Sequence, residues 1–279
     1  MQLAEIPALS VAEKIRRDFD SVVYMATNNT VVYGSSAELQ KLPPITGFVD
    51  LHIHGHAFAM FICRNDDAVA LRMLWNHTYE TKSTKIWLES ARKSRCILDI
   101  GAHTGIYSIL AALENPKAEI AALEPSPVNF GRLVTNVRGN HLNNVMPMHA
   151  AVSIKRGYER FGTPTQQWYL STGGKLSPER AKEVSMVKTI CGDQFDGVDL
   201  IKMDTEGNEL NCLKGMTDTL RNKPDILFEC SSDKEEIFDI LHTAGYRIYS
   251  VDDKEKTVTQ VAKALETNDI SSINYWAKR

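Results

Sequence analysis

The sequence contains no apolar window long enough to span a bilayer, and its opening stretch MQLAEIPALSVAEKIRRDFD lacks the basic flank and apolar run of a secretory leader. A soluble, unprocessed chain is expected. There is no basic excess either: 32 lysines and arginines against 35 aspartates and glutamates leave a net charge of -3, too little to neutralise a phosphate backbone. General nucleic-acid binding is therefore not expected. No two cysteines form a C-x-x-C pair; Cys63, Cys96, Cys191, Cys212 and Cys230 are odd in number and scattered. That usage fits reduced thiols in a cytoplasmic protein, mostly filling core, rather than a disulfide framework or a zinc ribbon.

What the chain does have is length and apolar content, 279 residues of which 43% are hydrophobic, enough for one large core or two small ones. Ser10 and Glu13 make a capping-box pair ahead of Val11, Ile15, Phe19 and Val22 at helical spacing, which predicts an N-terminal amphipathic helix. After VVYG and the LPP break, FVDLHIHGHAFAMFIC is rich in β-branched and aromatic residues and reads as strands or a hairpin. This front region, residues 1–94, is expected to be a helix-and-strand extension packed on the main domain, residues 95–279.

From Cys96 onward short apolar strands alternate with helices: CILDIG, TGIYSILAALE, AEIAALEP, SPVNFGRLVTNVRGN and VMPMHAAVS come first. After an irregular stretch the series resumes with VDLIKMDTEG, NELNCLKGMTDTLRN, PDILFEC, KEEIFDILHTAG and YRIYSV. Alternation of this kind implies right-handed crossovers and a mostly parallel sheet covered on both faces, a doubly wound, Rossmann-like α/β domain. YRIYSVDD and the terminal INYWAKR are separated by polar residues with no room for a long helix, so they are expected to pair antiparallel.

In such a sheet ligands lie beyond the carboxyl ends of the strands. Gly101 and Gly105 bracket the turn after the first strand, but His103 occupies the position where the dinucleotide fingerprint G-x-G-x-x-G needs glycine, and its side chain would crowd a pyrophosphate. Glu124 ends the second strand, where a carboxylate can accept from both ribose hydroxyls; its bland reading is a solvated strand-end acid. In DLIKMDTEGNE, the residues Lys202, Asp204, Glu206 and Glu209 crowd one strand end, with Lys202 and Asp204 on the same face. Charges there are costly unless paired or functional, and an ion pair that steadies the turn is the structural alternative.

CILDIGAHTGIYSILAA, LEPSPVNFGRLVTNV, DLIKMDTEGNEL and DILFEC together resemble the successive motifs of the FkbM-type methyltransferases, of the class I S-adenosylmethionine-dependent fold. The likeness covers roughly residues 75–250. It implies a seven-stranded sheet with a reversed last strand and S-adenosylmethionine as cofactor. By the same resemblance Asp99, Gly101, His103 and Gly105 surround the methionine part, His103 through its backbone. Glu124 holds the ribose with Ser126 and Asn129 near it, Ala150 to Val152, centred on Ala151, border the adenine, and Tyr79 and Glu80 of HTYET approach from upstream.

Methyl transfer from a sulfonium needs alignment and exclusion of water, and no metal. A hydroxyl acceptor also needs a base, for which Asp204 and Glu206 are the first choices. Burial and neighbouring carboxylates, Glu229 among them, would raise their proton affinity, and Lys202 would oppose it. His103 and His77 are reserves. His52, His54 and His56 alternate, so in a strand they would share one face and could bind zinc, but no cysteine or carboxylate stands at comparable spacing. Trp168 and Tyr169 shape an acceptor pocket or lid, with Gly173 and Gly174 as a hinge, or lie in a plain surface loop. The expected activity is O-methylation of a small or sugar-containing acceptor. N-methylation, a nicotinamide-dependent oxidoreductase and a non-catalytic cofactor-binding assembly protein are the alternatives, and a homo-oligomer is left open.

Overall fold

The computed structural model describes residues 22, 25–28, 31–39, 41–163, 170, 174–176, 183–264 and 273–279. The helix expected from Ser10 lies outside these residues except at its end, where Val22 is buried and helical. Trp168, Tyr169 and Gly173 also lie outside them. The chain divides into two compact units, residues 1–79 and 80–279.

In the first unit, VVYG forms no strand. After a single helical turn, α1 (Ser36–Leu39), the apolar stretch folds as an antiparallel hairpin of β1 (Thr46–Ile53) and β2 (His56–Cys63). His54 and Gly55 form its two-residue turn with φ of 49° and 88°, the left-handed pair that matches strand twist. This corrects the expected histidine face. His54 is spent on the turn, while His52 pairs with Ala57 and Ile53 with His56, so His52 and His56 point to opposite faces. Val49, Leu51, Ile53, Phe58, Met60 and Ile62 make the buried face. Helix α2 (Ala68–Asn76) starts at Asp67, whose carboxylate accepts from the N–H groups of Val69 and Ala70 at 2.9 and 3.0 Å, and ends at His77 in the left-handed region. His77 is thus an exposed helix-terminating residue.

The second unit opens with α3 (Thr81–Ala91) and then follows the predicted alternation: β3 (Cys96–Ile100), α4 (Ile106–Glu114), β4 (Glu119–Leu123), α5 (Pro127–Gly139) and β5 (Val145–Met148). Four further strands come next, the two-residue β6 (Ala151–Val152) and β8 (Lys175–Leu176) and the longer β7 (Gly157–Thr163) and β9 (Glu183–Ile190). The series closes with β10 (Leu200–Met203), α6 (Glu209–Lys214), α7 (Thr217–Arg221), β11 (Asp225–Glu229), α8 (Lys234–Thr243), β12 (Arg247–Asp252), β13 (Thr257–Val261) and β14 (Asn274–Lys278). The main sheet runs β13-β12-β14-β11-β10-β3-β4-β5. From β11 to β5 all neighbours are parallel, and β14 lies reversed between β11 and β12. Seven strands thus take the expected arrangement. An eighth, β13, pairs with β12 as a hairpin at the edge.

All four residues of β10 are buried, as are four of five in both β3 and β4, which requires cover on both faces of the sheet. The single strand expected over VMPMHAAVS is two, β5 in the main sheet and β6 in a separate sheet of order β6-β9-β7-β8 whose other strands come from the irregular stretch and whose small core is Ala151, Phe161 and Val187. Two-residue strands carry no period, and β9 exposes the apolar Val184 and Met186 on its outward face, so little alternation can be read there. The single helix expected over NELNCLKGMTDTLRN is two, broken at Gly215 and Met216.

Candidate active site

The central parallel strands end on one side of the second unit, and the chain turns there bring the predicted polar residues together. After Ile100 the backbone enters the left-handed region at Gly101 (φ 80°) and again at His103 (φ 50°) and Gly105 (φ 100°). A β-carbon on Gly101 would overlap the carbonyl oxygen of Asp204 and stand 2.8 Å from its carbonyl carbon, so glycine is what lets this turn close against the end of β10. The same junction carries the bond from the Asp204 N–H to the Ile100 carbonyl, 3.0 Å. At Gly105 a β-carbon would sit 2.7 Å from Leu133 Cδ1 of α5.

The turn's own donors are largely used within the chain. Gly101 and Ala102 both donate to the Leu123 carbonyl at 2.9 Å, His103 to Glu124 Oε2 at 2.8 Å and Gly105 to the Ala102 carbonyl at 2.8 Å. Asp99, buried, accepts from the Ser108 hydroxyl at 2.5 Å and from the Ser108 backbone, so a carboxylate already stands at the start of α4. A pyrophosphate needs those N–H groups and that helix end free. The site instead offers carboxylates: Glu124 at the end of β4 takes the Ser126 N–H on its other oxygen at 2.8 Å. This set of acceptors fits a sulfonium nucleoside with a ribose diol.

Burial pushes the Asp99 carboxyl up to about 6 against the pull of Ser108 and Lys202, and lifts Glu124 to about 8 against its backbone donors. Ser126 caps α5 by accepting the Asn129 N–H at 3.4 Å, which places Asn129, also buried, beside it. Asn136 of α5 donates to the Thr104 carbonyl at 2.8 Å and pins the turn from the far side. Ala151 packs with Phe161 and Val187 in the second sheet. Just before it, exposed His149 stacks on Phe130 with centroids 5.1 Å apart, its Nε2 2.9 Å from the Pro125 carbonyl.

Around the ends of β10 and β11 the charges form one cluster. Lys202 is buried, 3.2 Å from Asp204 Oδ2, with its ammonium 4.9 Å from the Tyr107 ring centre. Burial works against its charge, but Asp204, Glu80, Glu229 and Asp99 hold its proton affinity above that of an ordinary lysine. Glu80 receives the Tyr107 hydroxyl, and its carboxyl is raised by burial despite Lys202. Burial and the Asp204 charge raise Glu206 to about 7 and Glu229 to about 8. Glu209 is different: it turns back to accept the Thr205 N–H and hydroxyl, both at 2.8 Å, and the Gly207 N–H at 3.2 Å, so it shapes the loop.

The structure thus gathers Glu80, Asp99, Gly101, His103, Gly105, Glu124, Ser126, Asn129, Lys202, Asp204 and Glu206 within the second unit. Tyr79 belongs to the first unit. Sequence reasoning passed over Tyr107, which bridges Glu80 and Lys202 from within an apolar helix and reads there as core. It also passed over Asp253, whose part is described below.

A hexuronic acid methyltransferase, AglP, of Haloferax volcanii is 29% identical in a match covering 52% of this chain and 59% of that protein. The methyltransferase sdnD of Sordaria araneosa is 25% identical, covering 54% of this chain and 73% of its own length. The chain thus spans less than two thirds of the archaeal relative. Among solved structures, M. jannaschii TYW2 in complex with AdoMet aligns over 90% of each chain at 13% identity, with a TM-score of 0.40. The model of the methyltransferase FkbM domain matches residues 99–248, from the acid of β3 to the start of β12 and more than half of the sequence. The chain belongs to the FkbM methyltransferases, and its cofactor is S-adenosylmethionine.

Proposed function

We propose that the protein methylates a hydroxyl oxygen of a small, sugar-containing acceptor. The observation that carries this reading is the group of carboxylates at the adjoining ends of β10 and β11, Asp204, Glu206 and Glu229, set against the Gly101 turn. Bound S-adenosylmethionine supplies an electrophilic methyl group, and the acceptor oxygen must lose its proton as the new bond forms. Glu206 takes that proton. Burial and the nearby Asp204 charge raise its affinity for a proton to the neutral range, where a carboxylate is an effective base. Asp204 is tied to Lys202, which makes it the counter-charge that sets the field around Glu206. In this reading the turn from Gly101 to Gly105 and Glu80 lie on the methionine side of the cofactor, and Glu124 holds the ribose.

The acceptor class draws support from the archaeal relative, named for a hexuronic acid, a sugar with a carboxylate. Lys175 of β8 fits such a group: its ammonium lies 3.9 Å from where a β-carbon on Gly207 would stand, and its charge acts on Glu206. The test is transfer of isotopically labelled methyl from S-adenosylmethionine to uronic acids, neutral hexoses and amino sugars, with the new bond located by NMR. Label on oxygen of the sugars is expected. Label found on nitrogen alone would remove the hydroxyl reading.

A further inference from the structure

We propose that Asp253, in the turn between β12 and β13, is a positioning residue for the cofactor site, acting through Glu80. The assignment rests on the reading above that Glu80 holds the cofactor. Glu80 is the residue before α3, where an ordinary N-cap side chain would accept the N–H groups two and three residues on. It does not do so, and stands in the left-handed region instead, with φ 39° and ψ 58°. Asp253 does that work from elsewhere in the chain: its Oδ1 accepts the Lys82 N–H at 2.7 Å and the Ser83 N–H at 2.8 Å. Its Oδ2 takes the Ser83 hydroxyl at 2.5 Å and the Asn274 amide at 3.3 Å.

The consequence is that the Glu80 carboxylate is released from capping and turned to the Tyr107 hydroxyl and the Lys202 charge. Left-handed backbone at a non-glycine residue persists only where its surroundings over-determine it. Two bonds from Thr84, its N–H and its hydroxyl, both 2.8 Å from the Glu80 carbonyl, hold one side, and the Asp253 cap holds the next two residues. Asn274 opens the reversed strand β14 beside Glu229, so the cap is anchored in the main sheet.

The test is calorimetric titration of the full chain with S-adenosylmethionine in a double-mutant cycle of Asp253→Ala and Glu80→Gln. Asp253→Ala is expected to weaken binding roughly five- to tenfold, the loss of one helix cap. In the Glu80→Gln background the same change is expected to add less than about twofold, because the group it positions is already impaired. Asp253→Asn retains the oxygen that accepts both N–H groups and is expected to recover most of the affinity. A lowered melting temperature with unchanged affinity, or a full additional loss in the Glu80→Gln background, would overturn the assignment. Should Asp253→Ala yield no folded protein, Ser83→Ala gives the same cycle at about twofold amplitude, and unchanged affinity there counts equally against it. Wild-type protein that binds no S-adenosylmethionine would remove the cofactor role of Glu80 itself; wild-type binding matched by Asp253→Ala would remove only the role of Asp253.

Discussion

Replacing Gly101 by alanine should damage both fold and cofactor binding, because the new methyl group has nowhere to go. It would overlap the Asp204 carbonyl oxygen and stand 2.8 Å from its carbonyl carbon, where 3.4–4 Å is ordinary contact, and both atoms are backbone directly after β10. Alanine at φ 80° costs about 1 kcal/mol relative to glycine. Overpacking against backbone adds about 1–3 kcal/mol. Pushing β10 away strains the 3.0 Å bond from Asp204 to Ile100, worth about 1 kcal/mol. The sum is about 3–5 kcal/mol, which for a unit of this size lowers the melting temperature by roughly 6–20 °C. Gly131 is the control, an exposed position in α5 with nothing within 4 Å of a built β-carbon, where alanine should add up to about 1 kcal/mol. Thermal unfolding with and without S-adenosylmethionine reads both. If Gly101→Ala melts within about 2 °C of wild type and binds cofactor equally well, the close junction of β3 and β10 is not what the glycine is for.

Glu206→Gln should lower kcat by about a hundredfold with little change in cofactor affinity, and in wild type the rate should climb as pH rises through about 7, where Glu206 loses its proton. A flat pH–rate profile over that range would exclude Glu206 as the base. Lys175→Ala should raise KM for a uronic acid about tenfold while leaving a neutral sugar unaffected, and equal loss on both would remove the charge-recognition role. Glu124 carries a proton in the fold up to about pH 8 that an unfolded chain loses near its ordinary value of 4.5. Its contribution to stability is therefore complete below about 4.5 and fades as pH rises through 8. Glu124→Gln should flatten that decline in denaturant midpoints and weaken cofactor binding, and an unaltered pH dependence would contradict the buried assignment.

The turn after β3 and the acids around it were legible because each part is local in sequence. A strand, a glycine-spaced turn and a helix run without a break from Cys96 to Glu114, and Glu124, Ser126 and Asn129 follow the next strand in a single run. The surroundings of Glu80 were not, since Asp253 reaches Lys82 and Ser83 across some 170 positions and Tyr107 shows only as an apolar helix residue. The second sheet escaped for another reason: β6 and β8 are two residues long, too short for a period of two to register, and β9 turns the apolar Val184 and Met186 outward, which blurs the alternation. His103 shows how a local reading can reach its conclusion on incomplete physics. From sequence its side chain stands where a pyrophosphate must approach. In the structure its N–H is bonded to Glu124, three further N–H groups of the turn are bonded within the chain, and Asp99 stands at the start of α4. A glycine at position 103 would therefore not restore a dinucleotide site. The donors would still be engaged and the helix end still occupied by the Asp99 carboxyl, so what works against a pyrophosphate is the bonding of the turn and not one side chain's bulk.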